Sequence, residues 1–135
     1  MRKPDFVIGD PDAPYLLRWW MIPRNRWFNV YLHKILRSDD DRALHDHPWW
    51  NVSIILKGAY IEHMPGRRRV LKFGSIRVRG PRAAHRLEVA IGPVWSVFIT
   101  GPVVREWGFH CPHGWRHWKE FTAPMDKGQI GRGCD

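Results

Sequence analysis

The sequence predicts an all-β protein with one domain, and three observations support this. Short segments rich in β-branched and aromatic residues recur along the 135 residues. Turn-forming pairs such as Gly80-Pro81, Gly92-Pro93 and Gly101-Pro102 separate them. No segment keeps a helical period. This pattern is typical of a β-barrel or β-sandwich, and the chain is long enough for one hydrophobic core.

The first elements differ in how clearly they can be read. Residues 1–14 are predicted to be an arm with at most one short strand at 6–8. Residues 15–22 are apolar at nearly every position, so they fit either a buried strand or a short helix. Residues 29–37 alternate between two faces and predict a strand.

The later strands are shorter and are separated by glycine or proline. They are predicted at 52–57, 59–63, 69–73, 75–79, 85–91 and 94–100. We expect Gly92-Pro93 to turn the chain between the last two. Residues 122–135 are rich in glycine and polar residues, which favours a flexible tail after a domain of residues 1–121.

The chain is strongly basic, with a formal net charge of +9 from 22 Lys+Arg and 13 Asp+Glu. The excess is concentrated between His63 and Leu87, where no acidic residue occurs. The basic residues there are Arg67, Arg68, Arg69, Lys72, Arg77, Arg79, Arg82 and Arg86. Such a charge favours an anionic partner, which could be nucleic acid, a phosphorylated metabolite or a carboxylate. A solvated basic face is the alternative interpretation.

The two cysteines, Cys111 and Cys134, are too few for a disulfide framework, so we expect a reducing compartment. No apolar run after the N-terminus resembles a signal peptide. No run of about 18 apolar residues could span a bilayer. These features predict a soluble cytoplasmic protein without a membrane partner.

A candidate metal site begins with His45 and His47, which have the i, i+2 spacing that places both side chains on one face of an extended segment. Asn51 has the same parity. A third histidine, His85, begins a later predicted strand. Three imidazoles can bind one face of a divalent metal and leave other coordination positions open.

These residues resemble the two metal-binding motifs of the cupin superfamily. His45, His47, Asn51 and Gly58 match the first motif's His, His, Glu and Gly, with asparagine in place of the acidic ligand; its leading glycine corresponds to Asp39. In the second motif Gly74 and His85 have the expected separation, the proline is displaced to Pro81, and Arg82 and Val89 replace a glycine and an asparagine.

The resemblance implies a cupin-type β-barrel, also called a double-stranded β-helix or jelly roll. It also implies one divalent metal bound by His45, His47 and His85. Three-histidine cupins include Fe(II) oxygenases, so Fe(II) is the first candidate, while Zn, Mn or Ni also suit nitrogen ligands. Three neutral imidazoles and a neutral Asn51 leave the metal charge uncompensated, which favours an anionic ligand. The resemblance also implies a homodimer formed through the outer sheets.

Further residues are predicted to line the pocket. Trp49 has the parity of the ligands and is the candidate wall; Tyr60 and His63 could donate a hydrogen bond or act as acid or base. Arg77 and Arg79 would attract an anion. A loop at Asp39–Asp41 could bind a cation, although a solvated turn is the preferred interpretation.

Residues 107–118 contain a second group of possible ligands. Cys111 with His113 and His117 could bind zinc, and Cys111 could be a nucleophile with His110 or His113 as its base. The preferred interpretation is an aromatic loop that covers the barrel mouth or contacts another subunit.

Two functions remain open on the sequence. The first is a metal-dependent enzyme, similar to an Fe(II) dioxygenase, that acts on a small anionic substrate. The second is a non-catalytic module that binds nucleic acid or a protein through its basic 67–86 region and its aromatic residues.

Overall fold

A computed structural model describes residues 2–10, 12–38, 44–123, 126–130 and 134. Nearly all of the regular structure is β, which confirms the predicted class. The larger sheet has seven strands in the order β1-β2-β3-β8-β5-β6, with β7 also paired to β5. A second sheet has the order β10-β9-β4.

The strands are β1 (Phe6–Asp10), β2 (Ala13–Trp20), β3 (Asn29–Ile35), β4 (Leu44–His45), β5 (Asn51–Met64), β6 (Arg67–Lys72), β7 (Ile76–Arg79), β8 (Arg86–Thr100), β9 (Gly108–Cys111), β10 (Gly114–His117), β11 (Thr122–Ala123) and β12 (Asp126–Ile130). The single helix among the described residues, α1, is Trp118–Phe121. The sequence fitted either a strand or a helix at residues 15–22. Residues 15–20 belong to β2, so most of this segment is strand. No helix in the described ranges is long and apolar enough to cross a membrane.

The hydrophobic core occupies one end of the larger sheet's inner face. Leu16, Ile35, Ile55, Tyr60, Leu71 and Val94 form the buried cluster. Strict alternation on β3 places every second side chain, from Asn29 to Ile35, on this inner face. The apolar residues therefore meet, and burial of aliphatic side chains stabilises the fold by about 1.5–3 kcal/mol each.

A row of polar residues crosses the other end of the same face. Arg79, Asn51, Thr100 and Asn29 are successive cross-strand partners on β7, β5, β8 and β3. All four are buried. Three of the side chains form hydrogen bonds, because Arg79 donates to Asn51 and the Asn29 side chain bonds to Asn25.

The predicted turn at Gly92-Pro93 is wrong, because β8 runs through it from Arg86 to Thr100. The pairing with β5 explains how a proline is accommodated. The partner of Trp95 is Lys57, and the partner of Ile91 is already Ala59, so Pro93 lies at an irregularity of the ladder. A residue without an N–H group is tolerated where the ladder is interrupted.

The C-terminal part differs from the expectation for cysteines. Cys111 and Cys134 form a disulfide with a sulfur–sulfur distance of 1.98 Å. The two cysteines, which were expected to make no disulfide framework, are therefore paired, and the argument for a reducing compartment no longer holds. Spacing alone could not reveal the pair, because 23 residues separate the two. In segment 122–135 the structure has β11 and β12, which pair with each other. Flexibility of this segment stays a prediction.

His33 on the inner face predicts an acid-sensitive fold. It is buried and accepts a hydrogen bond from Arg18 Nε at 2.9 Å. Burial, and then the charge of Arg18, lower the pKa of His33 well below its usual value. The unfolded chain therefore takes up this proton below about pH 6.5, whereas the folded chain does not, so stability falls as the pH falls.

We expect His33→Gln to remove about 1.4 kcal/mol per pH unit from the slope of unfolding free energy below about pH 6.5. Urea unfolding from pH 8 to pH 5 measures this. The difference between the proteins at pH 8, where both side chains are neutral, reports only the lost packing. Parallel stability curves for the two proteins would contradict the prediction.

Candidate metal centre

His45, His47 and His85 come together, and one ligand nitrogen from each lies within 4.8 Å of the others. The ring centroids are 5.1 Å apart for His45 and His47, 4.8 Å for His45 and His85, and 4.9 Å for His47 and His85. His47 and His85 are buried, and His45 is partly exposed. A cluster of this size could hold a single metal ion.

Backbone pairing fixes two of these histidines against each other. The N–H of His45 donates to the carbonyl of His85 at 2.8 Å, and the N–H of His85 donates to the carbonyl of His45 at 2.9 Å. The N–H of His47 donates to Pro81 at 3.1 Å. Main-chain bonds therefore bring the two motifs, 40 residues apart in the chain, to one point.

Asp46, between the first two histidines, anchors this segment on its other side. Its buried carboxylate accepts from Gly108 N at 2.8 Å, Trp115 Nε1 at 3.0 Å and His110 Nε2 at 3.0 Å. Arg105 Nη1 lies 2.9 Å from it. Most of the predicted loop 107–118 is instead the β9–β10 hairpin, and these contacts hold the hairpin against the histidine segment.

Glu62 is the acidic residue of the site, and it comes from β5. Its side chain is fully buried. Arg77 Nε donates to Oε1 at 2.8 Å, while Arg79 Nε and His85 Nδ1 both contact Oε2, the latter at 2.6 Å. A carboxylate that accepts from a ligand imidazole fixes the orientation of the ring and increases its basicity.

The protonation states of this group suit metal binding. Burial raises the pKa of Glu62, but the hydrogen bond from His85 and the charge of Arg79 outweigh it and hold the pKa well below its usual range. Burial lowers the pKa of His85 to about 4, against the opposing effect of Glu62. Burial and the neighbouring histidines also lower the pKa of His47. At neutral pH His47 and His85 are therefore neutral. Since ionised Glu62 can only accept, His85 Nδ1 donates and Nε2 keeps its lone pair.

Asn51, which replaces the cupin glutamate, is committed to another contact. It is fully buried, and its Oδ1 accepts from Arg79 Nη1 at 3.0 Å. Arg79 Nη1 also donates to Ser53 Oγ at 2.9 Å. The oxygen that could have bound a metal thus holds an arginine.

Arg77 and Arg79 lie in one cleft with Glu62 and His85, next to the histidine cluster. The volume of this cleft is about 450 Å³. Its lining residues are Glu62, Met64, Pro65, Arg67, Arg77, Arg79, Arg82, Ala83, Ala84, His85 and His110. This volume is typical of small-molecule sites.

The other predicted pocket residues are distributed differently. The Trp49 ring stacks on His47 with centroids 5.4 Å apart, next to the cluster. Tyr60 belongs to the buried core, where burial raises the pKa of its hydroxyl. His63 Nε2 lies 2.9 Å from Glu88 on β8, and His63 is not among the residues that line the cleft.

The second group of possible ligands is corrected by the disulfide. Cys111 is bonded to Cys134, so it is neither a zinc ligand nor a nucleophile here. His117 Nε2 instead lies 3.1 Å from Glu106. The candidate cation loop, Asp39–Asp41, and the motif position Asp39 fall outside the described residues.

The donor set fits a divalent metal. Three imidazoles converge, and Glu62 orients one of them, His85, from behind. His47 Nδ1 is buried and has no hydrogen-bond partner among the residues that the structure describes. A buried nitrogen in this state is unfavourable unless something binds it, and coordination within the cluster would satisfy it.

Solved structures identify the fold. A cupin-like protein from Thermotoga maritima has a TM-score of 0.57 at 16% identity, covering 81% of this chain and 86% of that one. An RmlC-like cupin from Shewanella frigidimarina has a TM-score of 0.56 at 18% identity, over 76% and 93% of the two chains. The DMSP lyase DddQ from Ruegeria pomeroyi has a TM-score of 0.59 at 15% identity, covering 84% of this chain and 61% of that one.

The chain therefore has the cupin fold. The predicted resemblance is confirmed at the level of architecture, together with the three-histidine cluster that belongs to it. At these identities the likeness extends to the fold alone. No family model matches the sequence, and no curated protein matches it.

Proposed function

We propose that this protein is a metal-dependent cupin enzyme that acts on a small anionic substrate. The observation that supports it most is the convergence of His45, His47 and His85 within 4.8 Å beside an arginine-lined cleft. Three neutral ligands leave the 2+ charge of a metal uncompensated, and the cleft adds positive charge. Both features favour an anion at the open coordination positions.

Fe(II) is the metal we propose first, and it would supply oxygen chemistry of the dioxygenase kind. Nitrogen ligands also accept Zn, Mn or Ni, so the metal must be measured. The chain's own residues have defined tasks in this proposal. His85, held by Glu62, keeps its Nε2 lone pair for the metal, Arg77 and Arg79 attract the substrate, and Trp49 packs behind His47.

We expect His47→Ala to lower metal affinity by more than about 100-fold, because a ligand replacement exceeds the 10–100-fold effect of an outer-shell change. Elemental analysis of untagged protein, reconstituted with Fe(II), Mn(II) or Zn(II), measures this. Oxygen consumption by the iron form then tests the chemistry. Circular dichroism must show that the variant is folded.

His113→Ala is the matched control, since His113 is exposed and lies outside the cluster. It should keep stoichiometric metal, and His85→Ala should behave like His47→Ala. Turnover by a folded, metal-free His47→Ala protein would contradict a metal-dependent enzyme.

Binding of single-stranded nucleic acid is a second candidate function. The Trp27 side chain is 66% exposed, with Arg26 4.9 Å from its ring centroid. Exposed rings can stack on bases, and Arg67, Arg68 and Arg69 on the surface of β6 could contact phosphates. Affinity for a short oligonucleotide should then fall steeply with salt. Equal affinity at low and high salt would contradict this function.

We propose a homodimer formed through the outer face of β6 and β7. Val70, Phe73, Ile76 and Val78 are each more than 60% exposed there. Apolar side chains grouped in this way commonly mark an interface. Sedimentation equilibrium should give the mass of two chains. Val78→Lys should lower the measured mass toward that of one chain.

A further inference from the structure

The cleft beside His85 carries an unusual excess of positive charge. Four arginines line it, Arg67, Arg77, Arg79 and Arg82, against the single carboxylate of Glu62. Glu62 is shared, since Arg77 takes Oε1 and Arg79 takes Oε2 together with His85. Most of the cationic charge in the cleft is therefore not balanced by its own lining residues.

Arg79 lines this cleft and carries an unsatisfied donor. The residue is 3% exposed, and its Nε and Nη1 are bonded to Glu62, Asn51 and Ser53. Its Nη2 is buried and has no hydrogen-bond partner among the described residues. A buried charged donor left in this state is costly, which indicates a position designed for an acceptor that arrives from outside.

The other three arginines of the cleft differ in how exposed their side chains are. Arg77 lies in the wall, with its side chain 24% exposed, while Arg67 and Arg82 are exposed. Arg67 reaches the cleft from the start of β6, and Arg82 from the segment between β7 and His85. Arginines at several depths suit an anionic group with more than one charged oxygen, because each guanidinium can donate to a different oxygen.

We propose that this cleft binds a dianionic group of a small molecule, either a phosphate ester or a dicarboxylate, with Arg79 in its interior and Arg67 and Arg82 around it. Three positive charges remain after Glu62 is counted, so a dianion is preferred over a simple monocarboxylate. His85 and Glu62 line the same cleft, which places the bound group next to the metal cluster. That this molecule is the substrate rests on the proposed function; that the cleft binds a dianion does not.

Titration of metal-free protein tests the site directly. Inorganic phosphate, succinate and acetate are added in turn, and heat of binding is followed together with the ¹⁵N resonance of Arg79 Nε. We expect phosphate or succinate to bind at least about 10-fold more tightly than acetate and to shift the Arg79 signal. Tighter binding of phosphate would indicate a phosphate ester as the bound group, and tighter binding of succinate would indicate a dicarboxylate. Equal binding of acetate would overturn the proposal.

Variants that each remove one positive charge test which arginines hold the dianion. Arg67→Ala and Arg82→Ala should each weaken dianion binding by about 10-fold, the equivalent of one charge-assisted contact. Lys57→Ala is the control, because Lys57 is exposed on β5 and does not line the cleft. It should change affinity by less than about 2-fold. An equal loss in all three variants would mean only a general surface potential and would overturn the proposal.

Comparing anion binding by metal-free and metal-loaded protein distinguishes a failure of this proposal from a failure of the proposed function. Dianion binding that persists in His47→Ala supports the cleft site, whether or not the wild type holds a metal. Binding that occurs only in Zn(II)-loaded protein and disappears in His47→Ala would place the anion on the metal. That result overturns the cleft site and leaves the metal-dependent enzyme intact.

Discussion

Glu62→Gln should lower the free energy of unfolding by about 3–5 kcal/mol, the usual effect of removing one partner from a buried ion pair. The variant keeps the shape of the side chain but leaves Arg79, whose side chain is 1% exposed, without a buried counter-charge. Arg77 loses the same partner. Denaturant unfolding of metal-free protein, at constant m-value, measures the change.

Glu88→Gln is the matched control. Glu88 lies on the neighbouring β8, and its side chain is 47% exposed and pairs with His63 at 2.9 Å. Loss of this exposed pair should lower stability by at most about 1 kcal/mol. Similar losses for the two variants would mean that the charges around Glu62 are well solvated, contrary to the burial described above.

Gly58→Ala should destabilise the fold by about 3 kcal/mol or more, from two causes that add. Gly58 has φ +79°, a conformation that is strained for any residue with a Cβ atom. A Cβ atom there would also lie 2.6 Å from the carbonyl oxygens of Ile91 and Pro93. These oxygens belong to the backbone of the central strand β8, so they cannot move away easily. Thermal and urea unfolding measure the loss.

Gly74→Ala separates the two causes. Gly74 has φ +86°, so it has the same conformational strain, but no described atom lies within 4 Å of an added Cβ. We expect a loss of about 1–2 kcal/mol, which is the conformational term alone. If Gly74→Ala were as destabilising as Gly58→Ala, close packing against β8 would not contribute.

The sequence predicted much of the fold because most strands alternate cleanly. The inner face of β3, from Asn29 to Ile35, follows directly from the parity of residues 29–37. The histidine cluster was also predictable, because His45 and His47 have strand spacing and the distances to Gly58, Gly74 and His85 follow the cupin motifs.

Glu62 could not be predicted, and a parity change in β5 explains why. Asn51, Ser53 and Ile55 are buried at odd positions, whereas Tyr60 and Glu62 are buried at even positions. Register shifts between Ile55 and Tyr60 cause the switch. Simple alternation from Asn51 favours His63 as the inward residue, and the structure instead pairs His63 with Glu88. Gly58, at the irregularity, was the one signal in the sequence that a bulge occurs there.

The contacts on Asp46 connect the position of the histidine segment to the β9–β10 hairpin. The hairpin that holds it, β9 with β10, belongs to the smaller sheet, while the hydrophobic core belongs to the larger one. Substitutions along the hairpin would therefore act on the histidine segment through the smaller sheet and not through the buried cluster of the larger one. For the metal site proposed above, residues 105–115 are therefore positions where the geometry of the histidine segment can be changed without replacing a ligand.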